Sequence, residues 1–488
     1  MNRPDRRPRQ PAETAPRGHP RPDQPPARWL ALRILADMRP GRQTARQSAE
    51  EALGAISLDP RETALTTELV MGVLRHRLAL TTLLQPLVPR GWTKINHRLQ
   101  NILLLGAYQL VFLDGIPSYA AVNEAVQQAA SEAGPGAGRF VNAVLRNLQR
   151  SIENPRVPLE PATATCTLPI NPSVGCLFCR PILPDPVADP ISHLSLSTSH
   201  PNELVHRWTE SLGLESAGRI CWSGMVRPPV ILRPNPIRTT PEALIARLAK
   251  EGIEAVAARC GTAVVVPHAG GLHETTAFRQ GLFQAQDPTA MLPAISMELA
   301  AGQVVLDLCA GLGTKATQMA EIMGDRGTVI ATDRDEAKLA RLAGNADRLG
   351  LTSIRCVSLD RLEEELAGCP RLDWILLDVP CSNTGVLARR PEVRYRFSPA
   401  GLARLVRLQR DLLELADRLA RPGTRLMYAT CSLEPEENGE NCRWFVRQRP
   451  AWRVTAECLT LPEPPARPSH WHDGGFWARL ERFADPPA

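Results

Sequence analysis

Residues 304–315 read Val304-Val305-Leu306-Asp307-Leu308-Cys309-Ala310-Gly311-Leu312-Gly313-Thr314-Lys315, and this stretch decides the fold. A hydrophobic strand runs here into a glycine-containing turn, after which a helix is predicted. Glycines let the backbone approach a ligand closely, and the first turn of a helix offers unpaired amide donors. Two phosphate-binding patterns are absent: the Gly-x-x-x-x-Gly-Lys-Ser/Thr spacing, and a dinucleotide fingerprint, whose last glycine is replaced by Ala316. By itself the loop indicates either a nucleotide-like ligand or a plain tight turn.

Carboxylates follow the next predicted strands. Strands are predicted over 328–333, 353–360 and 374–378, ending at Asp333, Asp360 and Asp378, with a helical stretch between each pair. This alternation predicts a doubly wound α/β sheet, in which ligands bind at the carboxyl ends of the strands. Asp333 suits hydrogen bonds to ribose hydroxyls, and Asp360 suits an adenine amino group. Solvated loop acids are the alternative for any one of them, but the set favours an adenosine-bearing cofactor.

Two cysteines occupy matching settings. Asp378-Val379-Pro380-Cys381 and Thr430-Cys431-Ser432 each follow a short apolar run that reads as a buried strand. Free cysteines are usually small apolar residues of the core, so burial is the alternative for each of these two. Two thiols at the ligand-binding edge, one beside a carboxylate, instead indicate reaction chemistry. S-adenosylmethionine fits them better than a nicotinamide cofactor, because hydride transfer has no evident need for two thiols.

Composition narrows the class of protein. With 488 residues, 43% of them hydrophobic and 22% charged, two or three globular domains are expected. We find neither an uncharged apolar stretch long enough for a bilayer nor the apolar core of a signal peptide. The 12 cysteines are too sparse for a disulfide scaffold, so a cytoplasmic location is expected.

The chain is predicted to divide into five segments: a disordered basic arm over 1–27, a helical domain over 28–150, a loop-rich insert or linker over 151–201, a small α/β module over 202–280 and a catalytic domain over 281–488. Residues 1–28 hold seven arginines, three acids and eight prolines, which suits attraction to a polyphosphate or a merely solubilising tail. In the insert, Cys166, Cys176 and Cys179 with His193 or His200 form a candidate zinc site. Their spacing is not that of a standard finger, so unliganded thiols are preferred and no metal is predicted.

The helical domain carries the first family resemblance. Gly106-Ala107-Tyr108-Gln109-Leu110, Ile116-Pro117, 121–126 (Ala-Val-Asn-Glu-Ala-Val) and 139–146 (Arg-Phe-Val-Asn-Ala-Val-Leu-Arg) are similar to the NusB-type RNA-binding domain. From about residue 28 to the C-terminus, the insert excepted, the chain resembles RsmB-type (Sun/Fmu) ribosomal RNA cytosine-5 methyltransferases. Further matches are Gln286-Asp287, Pro435-Glu436-Glu437-Asn438 and 472–478 (His-Asp-Gly-Gly-Phe-Trp-Ala). The resemblance implies an all-helical NusB-like domain followed by a class I S-adenosylmethionine-dependent methyltransferase (Rossmann-like) domain, with the small module on the RNA face.

The resemblance also implies roles for residues. Cys309, Ala310, Gly311, Leu312, Gly313, Thr314 and Lys315 would wrap the methionine part of S-adenosylmethionine, Asp333 would bind the ribose and Asp360 the adenine. Asp378 and Cys381 would lie on the cytosine-facing loop, with Cys431 as nucleophile and Cys381 assisting release. Carbon 5 of cytosine is a poor nucleophile, so a thiolate must first add to carbon 6. Chemistry alone does not rank the two thiols, and an unpaired or flipped cytosine in RNA, most simply small-subunit ribosomal RNA, is the expected target.

The sequence departs from the family pattern at several positions. The usual Cys-Ala-Ala-Pro-Gly-Gly-Lys loop has Gly311, Leu312 and Thr314 here, and the β-branched Thr314 predicts an altered turn or weaker cofactor binding. Asn383 replaces a glycine but tolerates a left-handed conformation. Beyond it, Arg389, Arg390, Arg394 and Arg396 are candidates for phosphate contact or solvated surface arginines.

Two other functions compete with this interpretation. An RNA-binding or ribosome-assembly protein without catalysis would explain the altered loop, although retention of both cysteines weighs against it. A DNA methyltransferase is disfavoured by the helical RNA-binding domain.

Overall fold

The computed structural model describes residues 27–38, 45–54, 59–267, 270–369 and 371–483. The predicted basic arm therefore lies outside the described residues, apart from Ala27, which begins the first helix. No helix in these ranges is long and apolar enough to cross a membrane.

Helices build the N-terminal part of the molecule. They are α1 (Ala27–Asp37), α2 (Ala45–Gly54), α3 (Pro60–Leu84), α4 (His97–Phe112), α5 (Ser118–Ala133) and α6 (Pro135–Ser151). Their apolar residues recur every three or four positions, and they share one core around Leu69, Leu80 and Leu104. The helical character predicted for this region is confirmed.

The segment predicted to be loop-rich contains regular structure. Strands β1 (Ile152–Pro158), β2 (Thr167–Pro169) and β3 (Val174–Phe178) pair antiparallel in the order β1-β3-β2, and helix α7 (Pro190–Ser197) follows. Leu168, Cys176 and Phe178 join the core of the helical bundle, so tertiary burial stabilises strands that periodicity did not reveal.

A small α/β module comes next along the chain. It contains α8 (Asn202–Leu212), α9 (Leu214–Met225), β4 (Val230–Pro234), α10 (Pro241–Lys250), β5 (Val256–Ala257), β6 (Val264–Val266), α11 (Thr276–Arg279) and β7 (Phe283–Ala285). Its described strands form an antiparallel sheet in the order β5-β6-β4-β7. The predicted strands near 231 and 264 and the helix from Pro241 are confirmed.

The C-terminal part alternates strands and helices. Its elements are α12 (Pro288–Ser296), β8 (Val304–Asp307), α13 (Thr314–Ile322), β9 (Thr328–Ala331), α14 (Glu336–Leu349), β10 (Ile354–Cys356), α15 (Leu362–Ala367), β11 (Trp374–Asp378), α16 (Pro399–Leu419), β12 (Arg425–Thr430), α17 (Gly439–Gln448), β13 (Trp452–Thr460) and β14 (Gly475–Arg482). The described strands form one sheet in the order β10-β9-β8-β11-β12-β14-β13, parallel except where β14 pairs with its neighbours. The doubly wound sheet is confirmed.

The central strand β11 shows why this sequence makes a buried sheet. Trp374 and Leu376 pack into one apolar layer, while Ile375 and Leu377 pack into the layer on the opposite face. A strand covered on both faces reads as a continuous apolar run, as this one does. Strand order reverses between β8 and β11, so their carboxyl ends flank the crevice where such folds bind ligands.

Candidate active site

The turn after β8 places two glycines in left-handed backbone conformations. Gly311 and Gly313 have φ angles of +56° and +81°, and a Cβ on Gly313 would lie 2.3 Å from the Leu342 side chain. The amide of Gly311 donates to the carboxylate of Asp333 at 2.9 Å. Thr314 is the first residue of α13, and both left-handed positions of the turn are glycines. The β-branched residue thus sits where ordinary helical geometry applies, and the predicted distortion at Thr314 is absent from the turn.

An acid that we did not single out from the sequence lies beneath this turn. Asp307 is 1% exposed, and its Oδ1 atom has no hydrogen-bond partner among the described residues. Burial, and then the charge of Asp378, raise the pKa of Asp307 to about 7. A buried acceptor at the carboxyl end of β8 calls for a donor from a ligand. The sequence feature that could have identified Asp307 is its position at the end of a predicted strand.

Asp378 and Lys315 form an ion pair across the crevice. The ammonium of Lys315 lies 2.6 Å from Oδ2 of Asp378. Burial alone would lower the pKa of Lys315, but the facing carboxylate raises it overall. The ion pair joins the start of α13 to the end of β11, from which the loop that carries Cys381 continues, a link that the sequence did not reveal.

The two cysteines meet at the edge of the sheet. Asp378 pairs with Ala429 in the β11–β12 register, so Cys381 and Cys431 follow the same level of two adjacent strands. Their sulfur atoms lie 3.3 Å apart. The Cys431 thiol also lies 3.1 Å from Oδ1 of Asn383, whose φ of +62° is the left-handed conformation predicted for it.

The thiols differ in acidity. The hydrogen bond from Cys381 lowers the pKa of Cys431 against the opposing effect of burial, and the nearby charges of Arg390 and Lys315 lower it further. The same hydrogen bond, together with burial, raises the pKa of Cys381. The shifts favour Cys431 as the more acidic of the two thiols.

An open cavity of about 370 Å³ gives access to these groups. Lys315, Asp378 and Cys431 line it on one side. On the other side, Arg389 donates to Asp473 and, at 3.0 Å, to Asp287. Burial, and then the charge of Asp287, raise the pKa of Asp473 to about 7.

The chain is similar to known proteins over most of its length. Three family models match: the 16S rRNA methyltransferase RsmB/F over residues 294–464, the NusB family over 25–150, and the RsmF/B-like ferredoxin-like domain over 200–272. The probable ribosomal RNA small subunit methyltransferase B of Bacillus subtilis is 31% identical over 87% of this chain and 88% of its own. Its counterpart in Synechocystis is 31% identical over 92% and 98%.

The chain belongs to the ribosomal RNA small subunit methyltransferase B family. It is thus an RNA methyltransferase that depends on S-adenosylmethionine, as predicted. Among solved structures, PH0851 aligns with a TM-score of 0.72 at 22% identity, covering 94% of this chain and 99% of its own. NSun6 from Pyrococcus horikoshii with SFG aligns with a TM-score of 0.50 at 22% identity, covering 58% of this chain and 99% of its own. At these identities the likeness shows the fold.

The crevice of this family member fits S-adenosylmethionine. A Cβ on Gly311 would meet no atom within 4 Å, so the turn borders open space. The unpartnered Oδ1 atom of Asp307 suits the ammonium of the methionine part, and Asp333 suits the ribose hydroxyls. Asp307 ends β8 and Asp333 follows β9 by two residues, so both lie at the edge of the sheet where such folds bind ligands.

Asp360 departs from its predicted setting. Strand β10 ends at Cys356, and Asp360 lies four residues later in a short 3₁₀ helix, Leu359–Arg361, with its side chain exposed. The segment leaves the sheet early because Val357 makes the last ladder bond and Ser358 begins the turn. A contact between Asp360 and adenine stays a prediction.

The structure shows where two further sets of candidate residues lie. Arg394 is fully buried and donates to backbone carbonyls, and Arg389 is engaged by Asp287 and Asp473, so neither is an exposed phosphate contact. In the described ranges no group of three His, Cys, Asp or Glu side chains could hold a metal ion. Cys176 is packed in the bundle core while Cys179 is exposed, so the cysteines of the candidate zinc site do not converge.

Proposed function

We propose that this protein methylates carbon 5 of a cytosine in small-subunit ribosomal RNA through a covalent cysteine–cytosine adduct. The observation that carries the proposal is the cysteine pair, 3.3 Å apart, with Cys431 on the wall of a cavity that also contains Asp378 and Lys315. Transfer to an oxygen or an exocyclic nitrogen would not need a thiol nucleophile. Two thiols of opposite pKa shift suit a target that must be activated and later released.

Cys431 is the nucleophile in this proposal. Its thiolate adds to carbon 6 of the cytosine, forming a sulfur–carbon bond and moving the electrons of the ring double bond onto carbon 5. Asp378 hydrogen-bonds nitrogen 3 and the amino group of the base, stabilising the adduct. Lys315 keeps the Asp378 carboxylate in place through the 2.6 Å ion pair.

When bound, S-adenosylmethionine supplies the electrophilic methyl group that carbon 5 accepts. Asp307, Asp333 and the 309–315 turn would hold it. After carbon 5 has been methylated, its proton passes to water in the open cavity, the electrons of that carbon–hydrogen bond restore the ring double bond, and the bond from carbon 6 to sulfur breaks to return the Cys431 thiolate. Cys381, whose sulfur lies 3.3 Å from that of Cys431, assists that release.

The helical domain would contribute RNA binding, and the module over 202–280 would form part of the RNA face. We also propose that the chain divides at the five predicted segment boundaries and that the protein is cytoplasmic. The basic residues of 1–27 would add attraction to phosphates.

Transfer of labelled methyl groups to unmodified small-subunit ribosomal RNA tests the proposal. Wild type should label RNA at carbon 5 of cytosine. Cys431→Ala should abolish transfer, because it removes the thiolate that adds to carbon 6 in this proposal. Cys381→Ala should retain attack but accumulate a covalent RNA complex, seen as a heat-stable shift on denaturing gels. Labelling of another atom, or transfer by Cys431→Ala at the wild-type rate, would contradict the proposal.

A further inference from the structure

A buried carboxylate lies directly behind the cysteine pair. Glu437 ends a short 3₁₀ helix, Pro435–Glu437, and is 0% exposed. Its side chain accepts hydrogen bonds from the amide and the hydroxyl of Ser382, from the hydroxyl of Ser432, and from Nε2 of Gln409 at 2.9 Å. It does not line the cavity, so it has no access to substrate.

Two hydrogen-bond partners of Glu437 are the residues that directly follow the two cysteines. Ser382 directly follows Cys381, and Ser432 directly follows Cys431. One carboxylate therefore ties together the two loops that carry the thiols. Several hydrogen bonds that converge on one side chain restrict the movement of the two loops relative to each other.

Surrounding side chains keep the carboxylate from moving. The Tyr428 hydroxyl donates to the backbone carbonyl of Glu437 at 2.6 Å. Gln409 donates to the Pro380 carbonyl as well as to Glu437, and its own oxygen accepts from Asn441 at 2.8 Å. Strand β12 and helices α16 and α17 thus all contribute to one satisfied network.

We propose that Glu437 is a positioning residue whose carboxylate holds the two cysteine loops together, so that the Cys381 thiol donates to the Cys431 sulfur and Cys431 becomes the thiolate. The inference rests on the proposed function for its catalytic meaning. The charge of Glu437 also acts in the required direction, since it adds to the raised pKa of Cys381, after the hydrogen bond with Cys431 and burial. Cys381 is thereby kept protonated as the donor.

Alkylation of Cys431 by iodoacetamide tests the inference without RNA or cofactor. Tryptic cleavage after Arg425 and Arg443 releases residues 426–443, in which fragment masses separate Cys431 from the buried Cys442. The rate at Cys431 is measured against pH for wild type, Glu437→Gln and Glu436→Gln. Glu436 is the matched control: it adjoins Glu437 but pairs with Arg207.

Glu437→Gln should move the alkylation profile of Cys431 to higher pH, with a rate at pH 7 that falls on the order of tenfold. The neutral amide has no charge and only one acceptor oxygen for these donors, so the two loops would be held less closely and Cys431 would lose the hydrogen bond with Cys381. Glu436→Gln should keep the wild-type profile. A folded Glu437→Gln protein with the wild-type profile would overturn the inference.

If Glu437→Gln does not fold, the double variant Ser382→Ala/Ser432→Ala tests whether Glu437 holds the two cysteine loops together. They remove the two hydroxyl donors but leave the carboxylate, and should shift the profile in the same direction by a smaller amount. An unshifted profile in this folded variant would also overturn the inference. Because methyl transfer is not measured, failure of the proposed function and failure of this inference are told apart.

Discussion

At the scale of single residues, the chemistry depends on which of two adjacent thiols ionises. The sequence predicts that Cys381 and Cys431 share one edge of the sheet, because both follow buried strands. It does not predict the 3.3 Å separation, which follows from the pairing of Asp378 with Ala429. It also does not show that Arg390 donates to Asn383 beside Cys431. Such contacts depend on side chains converging from separate loops.

Arg390→Gln tests the electrostatic part of this account. The Cys381 hydrogen bond lowers the pKa of Cys431 most, and the positive charge of Arg390 lowers it further. Because the reactive thiolate exists only above that pKa, the acid limb of kcat/KM should move to higher pH in the variant. We expect a loss of about threefold at pH 7 that shrinks as the pH rises. A loss that is equal at every pH would mean that Arg390 contributes only to RNA binding.

At the scale of elements, the turn between β8 and α13 shows how far the family pattern can change. The turn keeps glycine at its two left-handed positions, whereas Thr314 is the first residue of the helix, where ordinary helical backbone angles apply. The spacing of the glycines predicted the turn. It could not assign a conformation to each position, because Gly311 and Gly313 differ only in their tertiary surroundings.

Gly313→Ala and Gly311→Ala form a matched pair at this turn. Both add a methyl group at positive φ, which costs about 1–2 kcal/mol. Only the methyl group on Gly313 would clash with Leu342, adding about 1–3 kcal/mol. In urea unfolding, Gly313→Ala should therefore lose more stability than Gly311→Ala. Calorimetric titration should show weaker S-adenosylmethionine binding by folded Gly311→Ala, because its methyl group enters the open space of the crevice.

Equal losses of stability in the two variants would contradict the predicted clash. Unchanged cofactor affinity in Gly311→Ala would contradict the position of the ligand beside the turn.

At the scale of the whole molecule, one buried arginine connects the helical bundle to the catalytic part. Arg394 is 0% exposed and donates to the carbonyls of Arg75 in α3, Ser199 after α7, and Gly224 in α9. Arg389 and Arg390, which face the active site, lie only a few residues before it. Composition predicted separate domains and surface arginines. The sequence could not show that Arg394 joins the helical bundle to the catalytic part, since a buried arginine is recognisable only from the acceptors around it.

Arg394→Met should destabilise the protein by about 3 kcal/mol or more, because several buried carbonyls lose their donor. Arg361→Met is the control: Arg361 is an exposed arginine in a surface ion pair, and its loss should cost less than about 0.5 kcal/mol. Guanidinium unfolding followed by tryptophan fluorescence measures both. Equal midpoints for wild type and Arg394→Met would show that the junction contributes little to stability.

The central claim is that Cys431 attacks the target cytosine. The most direct measurement uses small-subunit ribosomal RNA containing 5-fluorocytidine, with wild-type protein and S-adenosylmethionine. Fluorine on carbon 5 cannot leave as a proton does, so the adduct should persist after denaturation. Nuclease and trypsin digestion followed by mass spectrometry should find the nucleotide on residues 426–443, attached to Cys431. A nucleotide attached to Cys381 instead, or no covalent RNA adduct under conditions of methyl transfer, would contradict the account.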